Sequence, residues 1–426
     1  MKNKKIIFDA LNKEVERQTN WIELIASENY VSKDVLLMQG SEFTNKYAEW
    51  YPWKRYYGWC SNVDTVETLT KKLAKELFKT DYSVNVQPHS WSSANMAVYF
   101  SVLRPWDKIL GLSLNAWWHL THWSKPNFSW EKYWIFNSFF YWILDDWTFD
   151  FKEIRKIALK EKPKMIVAWA SAYSRKIDWK QFKNIADEIW AYLLVDMAHI
   201  AWLVATGLHA TPFGIADFVT TTTHKTLRWP RWWMIFAKNK ELWKLIDSAI
   251  FPWIQWWPLM HIIAAKWICF SEALNPSYKK YMEQVVKNAK VFEEEFNKAI
   301  FVIDWEKKKI KMVWNWTDNH LLLLDFTNLW ISWKEVETLL GKIDITTNMN
   351  TVPWDLKPWK PSWIRIWTPA ITSRGIKEQW IRLIAEAITE IIRSYVYWND
   401  FLEEDIIHWK KTMNNLVKDK TIYPKI

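Results

Sequence analysis

Asp217-Phe218-Val219-Thr220-Thr221-Thr222-Thr223-His224-Lys225-Thr226 is the stretch on which the reading of this chain turns. Its apolar, β-branched start predicts a buried strand, because such side chains suit a pleated, packed surface. Its end predicts a polar loop carrying a lysine. A lysine at a strand-end loop can form a Schiff base with an aldehyde cofactor, and neighbouring hydroxyls can line a polar pocket. Taken alone, the motif fits a plain surface lysine equally well. Its weight depends on the residues around it.

Moving outward, Lys164-Met165-Ile166-Val167-Ala168 and Ala191-Tyr192-Leu193-Leu194-Val195 read as further buried strands, with a helical pattern from Trp179 to Ile189 between them. Strands alternating with amphipathic helices argue for an α/β fold with a mostly parallel sheet. A helical pattern from Tyr278 to Ala299 leads into a second region, with a strand at Leu321–Asp325 and a helix from Gln379 to Tyr395. Near the start, a short helix from Phe8 to Gln18 runs into an extended link. The expected organisation is therefore an arm over 1–50, a large domain over 51–275 and a smaller C-terminal α/β domain over 276–426. A chain of 426 residues is long enough for two such cores.

The charge balance is 57 Lys+Arg against 47 Asp+Glu, a formal net charge of +10. The basic residues are spread along the chain, which favours anionic small molecules over nucleic acid as partners. Cys60 and Cys269 have no metal-ligand spacing and suit a reducing compartment. The charged start Met1–Glu14 carries no apolar h-region, so no leader is expected, and there is no run of about 18 apolar residues. The expectation is a cytoplasmic protein with no membrane, nucleic-acid or metal partner.

Three stretches add to Lys225. Asp196 ends the strand-like run Leu194-Val195-Asp196, where open α/β sheets bind ligands. It can hold a pyridinium nitrogen protonated or, more plainly, cap a helix. His89-Ser90-Trp91-Ser92-Ser93-Ala94-Asn95 reads as a serine turn opening a helix, a cradle for phosphate if residue 91 is small. Trp117-Trp118-His119-Leu120-Thr121-His122-Trp123-Ser124 places a histidine that could stack on a cofactor ring. His119 and His122 lack a third ligand nearby, which argues against metal binding.

Composition raises a separate issue. The chain has 37 Trp and only 7 Gly, whereas glycine usage of about 7% would give roughly 30. Five of fifteen prolines are followed by Trp, at 53, 106, 253, 354 and 359. After a turn proline the next residue often needs φ > 0, which glycine adopts and Trp does not. Trp-Trp pairs at 117–118, 232–233 and 256–257 sit in loop-like contexts. The expectation is that many of these codons are UGA, read as glycine by the cell. Trp179 and Trp409 are candidates for true tryptophans.

Together these stretches resemble serine hydroxymethyltransferase, a family of pyridoxal-5′-phosphate (PLP) enzymes of fold type I. The resemblance covers nearly the whole chain. It is carried by Glu23-Leu24-Ile25-Ala26-Ser27-Glu28-Asn29, by Thr44 to Gly58, by Ser171-Ala172-Tyr173-Ser174, by Val195-Asp196-Met197-Ala198-His199 and by the Thr220–Thr226 run. The family has glycine at most of the Trp positions inside these motifs.

The resemblance implies roles residue by residue. Lys225 carries PLP, and His224 tunes reaction specificity. Asp196 pairs with the pyridine nitrogen, His119 stacks on the ring, and Ser171 and His199 approach the phenolic oxygen. Ser92 and Ser93 approach the phosphate, and Thr222 and Tyr47 complete the cofactor set. Arg365 clamps the substrate carboxylate, a task suited to a bidentate guanidinium. Ser27, Glu49 and Tyr57 surround the substrate, with Glu49 as acid–base group. Leu114, Trp118, His119 and Leu120 face the folate. Tyr47, Glu49 and Tyr57 serve the other subunit, which implies a homodimer or a tetramer of such dimers. The implied reaction moves the one-carbon unit of serine to tetrahydrofolate, leaving glycine. A PLP-dependent threonine or 3-hydroxy amino acid aldolase, and an inactive binding relative, are the rival readings.

Overall fold

The computed structural model describes residues 2–113, 135–144, 146, 148–169, 171–223, 225, 231–350, 363–397, 402–420 and 422. They fall into two compact units, Val31–Met282 and the pair Met1–Tyr30 with Glu283–Ile426.

The unit Val31–Met282 is built on a seven-stranded sheet. Its spatial order is Ser83–Asn85, Trp233–Ala237, Phe218–Thr222, Tyr192–Asp196, Met165–Ala168, Lys108–Leu112 and Asn137–Tyr141. The last five strands run parallel to one another. Trp233–Ala237 is antiparallel to both its neighbours. Four strands are buried along almost their whole length, which is why they read as continuous apolar runs. The crossover helix Trp179–Glu188 starts where Asp178 accepts hydrogen bonds from the N–H groups of Lys180 and Gln181, a cap worth about 1 kcal/mol. It buries Trp179, Phe182, Ile185 and Ala186 on one face.

The other unit has a four-stranded antiparallel sheet in the order Lys311–Met312, Leu321–Asp325, Trp363–Trp367, Asn348–Asn350. Helices Trp333–Lys342 and Glu378–Val396 contribute buried side chains to its core. The N-terminal segment is part of this core. Ile22–Glu23 pairs in parallel with Ile345–Thr346, and Arg374 donates to the carbonyls of Thr19 and Trp21.

The expected arm over 1–50 thus divides at residue 30 in these units. Its link is not simply extended either. Ser32 caps a helix over Lys33–Gln39 that buries Val35, and a 3-10 turn follows at Glu42–Asn45. The units meet at 282, six residues from the expected division and inside the continuous helix Pro276–Lys298.

Thirteen described non-glycine residues have positive φ, and seven are tryptophan: Trp50, Trp53, Trp59, Trp106, Trp190, Trp305 and Trp330. Two of them, Trp53 and Trp106, follow proline, as expected. Trp253 does not share this conformation and lies in a π-helical turn, Ala249–Ile254. Trp354 and Trp359 lie outside the described residues. Trp233 is not in a loop but opens a buried strand. Among the described residues no helix is long and apolar enough to cross a membrane.

Candidate active site

The parallel strands end their runs side by side, and the sequence candidates sit on those ends. Asp196 is the last residue of Tyr192–Asp196 and is buried. Its Oδ1 accepts from the N–H of Ala198, 3.0 Å away. Its Oδ2 accepts from Nδ2 of Asn95 at 3.3 Å. Asn95 Oδ1 in turn accepts from the Thr220 hydroxyl at 2.9 Å. The carboxylate is therefore held by a chain of donors reaching from the helix Trp91–Val102 to the neighbouring strand.

Lys225 lies just beyond the strand Phe218–Thr222 and is buried. Its Nζ is 2.6 Å from Nε2 of His199. Thr222 donates its hydroxyl to the carbonyl of Ala198 at 2.9 Å, tying the lysine loop to the turn that carries His199. The fold thus brings Asp196, His199, Thr222 and Lys225 together. Ser171 follows the carboxyl end of the adjacent strand Met165–Ala168.

Ser90 caps the helix Trp91–Val102, and Ser93 completes the capping box. The Ser93 hydroxyl both accepts from Ser90 N and donates to Ser90 O, so it is engaged in the cap. Ser92 lies between them in the first turn.

Trp91 occupies the middle of the cluster. Its Nε1 donates to Asp196 Oδ2 at 2.6 Å. Its ring centroid is 4.0 Å from Lys225 Nζ and 5.0 Å from the ring of Trp233, nearly parallel to it. An indole therefore bridges carboxylate and lysine.

The segment carrying Tyr47, Glu49 and Tyr57 is held by a buried ion cluster. Arg55 binds Asp64 at 2.8 Å and Glu67 at 2.7 Å and donates to the carbonyl of Ala48. Burial pushes the Glu67 carboxyl up, but Lys71 and Arg55 outweigh it and hold the group below its ordinary value. Glu49 is buried. Tyr47 and Tyr57 meet edge-to-face at 4.7 Å, both exposed.

Ser27 and Arg365 belong to the other unit. Arg365 lies mid-strand in Trp363–Trp367, opposite Leu323 on one side and Asn348 on the other. Burial lowers its pKa to about 10, so it stays charged near neutrality. Asn348 Oδ1 accepts from the N–H of Ala26 at 3.0 Å, which brings the Ser27 segment to the same sheet. Ser27 has φ of 93°, a strained value for a side-chain-bearing residue. His224, Leu114, Trp118, His119 and Leu120 lie outside the described residues. Among the described residues no cluster of three or more His, Cys, Asp or Glu is arranged to hold a metal ion.

Asn95 and Thr220 were not singled out in the sequence. Both lie in candidate motifs, but nothing local says that an amide will bind a carboxylate on a strand about a hundred residues away.

The family model described as serine hydroxymethyltransferase matches residues 1–388. The chain belongs to the serine hydroxymethyltransferase family. It is 52% identical over 388 residues to the serine hydroxymethyltransferases of Lactobacillus gasseri and Lactobacillus johnsonii, covering 91% of this chain and 92% of each relative. It is 50% identical over 414 residues to that of Lactobacillus acidophilus, covering 97% of both. Serine hydroxymethyltransferases are PLP-dependent transferases of fold type I with tetrahydrofolate as co-substrate. The reaction is the reversible transfer of the serine hydroxymethyl unit to tetrahydrofolate, giving glycine and 5,10-methylenetetrahydrofolate.

The donor set suits that cofactor. A buried lysine beside a histidine can hold an aldehyde, and a buried, hydrogen-bonded carboxylate can hold a protonated ring nitrogen. Tryptophan at 91 does not suit it, because the indole takes up the space between those two groups.

Proposed function

We propose that this chain performs serine hydroxymethyl transfer at the cluster of Lys225, His199 and Asp196, with Asn95 positioning Asp196. The 2.6 Å approach of Lys225 Nζ to His199 Nε2 at the strand ends carries this reading. Thr222 anchors the lysine loop, and His224 acts beside it. Ser92 and Ser93 meet the phosphate through the first turn of their helix, His119 covers the ring, and Ser171 lies near its phenolic oxygen. Arg365 clamps the serine carboxylate, with Ser27 beside it. Leu114, Trp118, His119 and Leu120 receive the folate.

The working form in this reading is a cytoplasmic homodimer or a tetramer of such dimers. Tyr47, Glu49 and Tyr57 of each subunit serve the partner's site, and Glu49 handles the proton at the serine hydroxyl. The exposed Tyr47–Tyr57 pair, on a segment braced by the Arg55 cluster, supports that assignment. The gene is further read as using UGA for glycine at many positions written Trp.

The test is tetrahydrofolate-dependent conversion of serine to glycine. Replacing Lys225 with Ala should abolish both turnover and the visible absorbance that PLP gains on binding. Persistence of that absorbance in the variant would show that Lys225 is misassigned. Threonine cleavage indifferent to folate would favour the aldolase.

A further inference from the structure

We infer that residue 91 is glycine in the working enzyme, and that so are the seven left-handed tryptophans, Trp50, Trp53, Trp59, Trp106, Trp190, Trp305 and Trp330. Trp179 and Trp409 are true tryptophans. The part concerning residue 91 rests on the proposed cofactor role of Lys225 and Asp196, whereas the backbone part does not.

Two independent observations carry this. The first is conformational. A side chain in the left-handed region meets its own backbone, and glycine alone escapes the clash. The seven residues have φ between 59° and 80°. A tryptophan that endures such strain should gain burial in return, since large rings earn their place by the area they cover. These gain little: all seven are exposed, and Trp59, Trp190 and Trp305 are 97%, 93% and 98% exposed. The six other non-glycine residues with positive φ are Ser, Lys, Asp and Asn. Asn and Asp tolerate the conformation better than most, which makes the predominance of an aromatic the anomaly.

The second observation is chemical. Trp91 spans from the Asp196 carboxylate to the Lys225 amine, with its ring N–H aimed at the carboxylate. That is the task of an aromatic cofactor with a protonated ring nitrogen. The indole and the cofactor therefore compete for one place. Removing the side chain at 91 leaves Asp196 held by Asn95 and Ala198, and so opens the place without dismantling its walls.

The same criteria retain Trp179 and Trp409. Each lies in a regular helix with its ring buried. The Trp179 indole donates to the carbonyl of Ala210 at 3.0 Å.

The experiment has two arms. Peptide mass spectrometry of the protein from its own cells, with the gene's codons read alongside, should find glycine from UGA at the eight positions and tryptophan at 179 and 409. Tryptophan at 91, or across the left-handed set, would overturn the inference. In the second arm the chain as written, its Trp91→Gly variant and the Trp91→Gly, Lys225→Ala double variant are titrated with PLP. Borohydride then traps any covalent lysine adduct for mass mapping. The expected result is no adduct on the first, a stoichiometric adduct at Lys225 on the second and none on the third. An adduct at Lys225 with Trp91 in place would sink the competition argument. An adduct at another lysine would instead refute the reading of Lys225, leaving the codon result to stand.

Discussion

Replacing the seven left-handed tryptophans with glycine together should raise the stability of the protein. Each L-residue held there costs about 1–2 kcal/mol. Glycine returns roughly 0.4–1 kcal/mol of that through the greater freedom of its unfolded chain. The net gain is about 0.5–1 kcal/mol per position. Little packing is lost, because the rings are exposed. The Lys308 ammonium 4.0 Å above the Trp330 ring is an exception, offsetting about 0.5–1 kcal/mol. Five of the seven lie in the unit Val31–Met282, so that unit should gain roughly 2.5–5 kcal/mol, against a total stability on the order of 5–15 kcal/mol. At about 2–4 °C per kcal/mol for this size, its melting temperature should rise by on the order of 10 °C. Circular dichroism melts of the written chain and the sevenfold variant measure this. Trp179→Gly is the control; it empties a buried helical site and should lower stability by about 3–5 kcal/mol. A sevenfold variant that melts at or below the written chain would refute the reasoning.

Other expectations follow from charged groups. Arg55→Met takes the guanidinium from buried Asp64 and leaves buried Glu67 to Lys71, and should cost about 3–5 kcal/mol, read by urea unfolding. Because the Glu67 carboxyl is held below its ordinary 4.5 in the folded state, its contribution is present above that value. It is lost as pH falls through the folded pKa, so Arg55→Met should lessen this acid limb, with Lys71 keeping part of it. Lys266 is buried, with Nζ donating to the carbonyls of Val86 and Trp233, and burial holds its pKa well below 10.5. The unfolded chain then binds more protons, so stability should rise with pH up to about 10.5. Lys266→Met should remove that slope in unfolding titrations between neutral and alkaline pH. Arg365→Lys keeps the charge but loses the planar fork, and should raise KM for serine by about tenfold. An unchanged KM would take Arg365 out of the carboxylate site.

Much of the candidate site was legible because its chemistry is local. A lysine after a hydroxyl-rich strand and an aspartate ending an apolar run announce themselves by residue type and by place in the pattern. The helix start at Ser90 and the strand at Leu321–Asp325 were visible for the same reason, since caps and periodicity act over a few residues. The place of Asn95 beside Asp196 was not legible. Its meaning comes from Thr220 on one side and Asp196 on the other, and those contacts exist only after the sheet has formed. Trp233 differs: a Trp-Trp pair reads as two turn glycines in a loop, but antiparallel pairing with Phe218–Thr222 makes Trp233 the start of a buried strand.

The sequence by itself determined the family, the alternation of strands and helices, and the shortage of glycine, because motifs, hydrophobic period and composition are properties of the chain before it folds. Tertiary structure alone decided that Ile22–Glu23 is stitched to Ile345–Thr346 and that the side chain at 91 stands between Asp196 and Lys225. Both are contacts between segments far apart in the chain, and only packing brings such segments within a few ångströms.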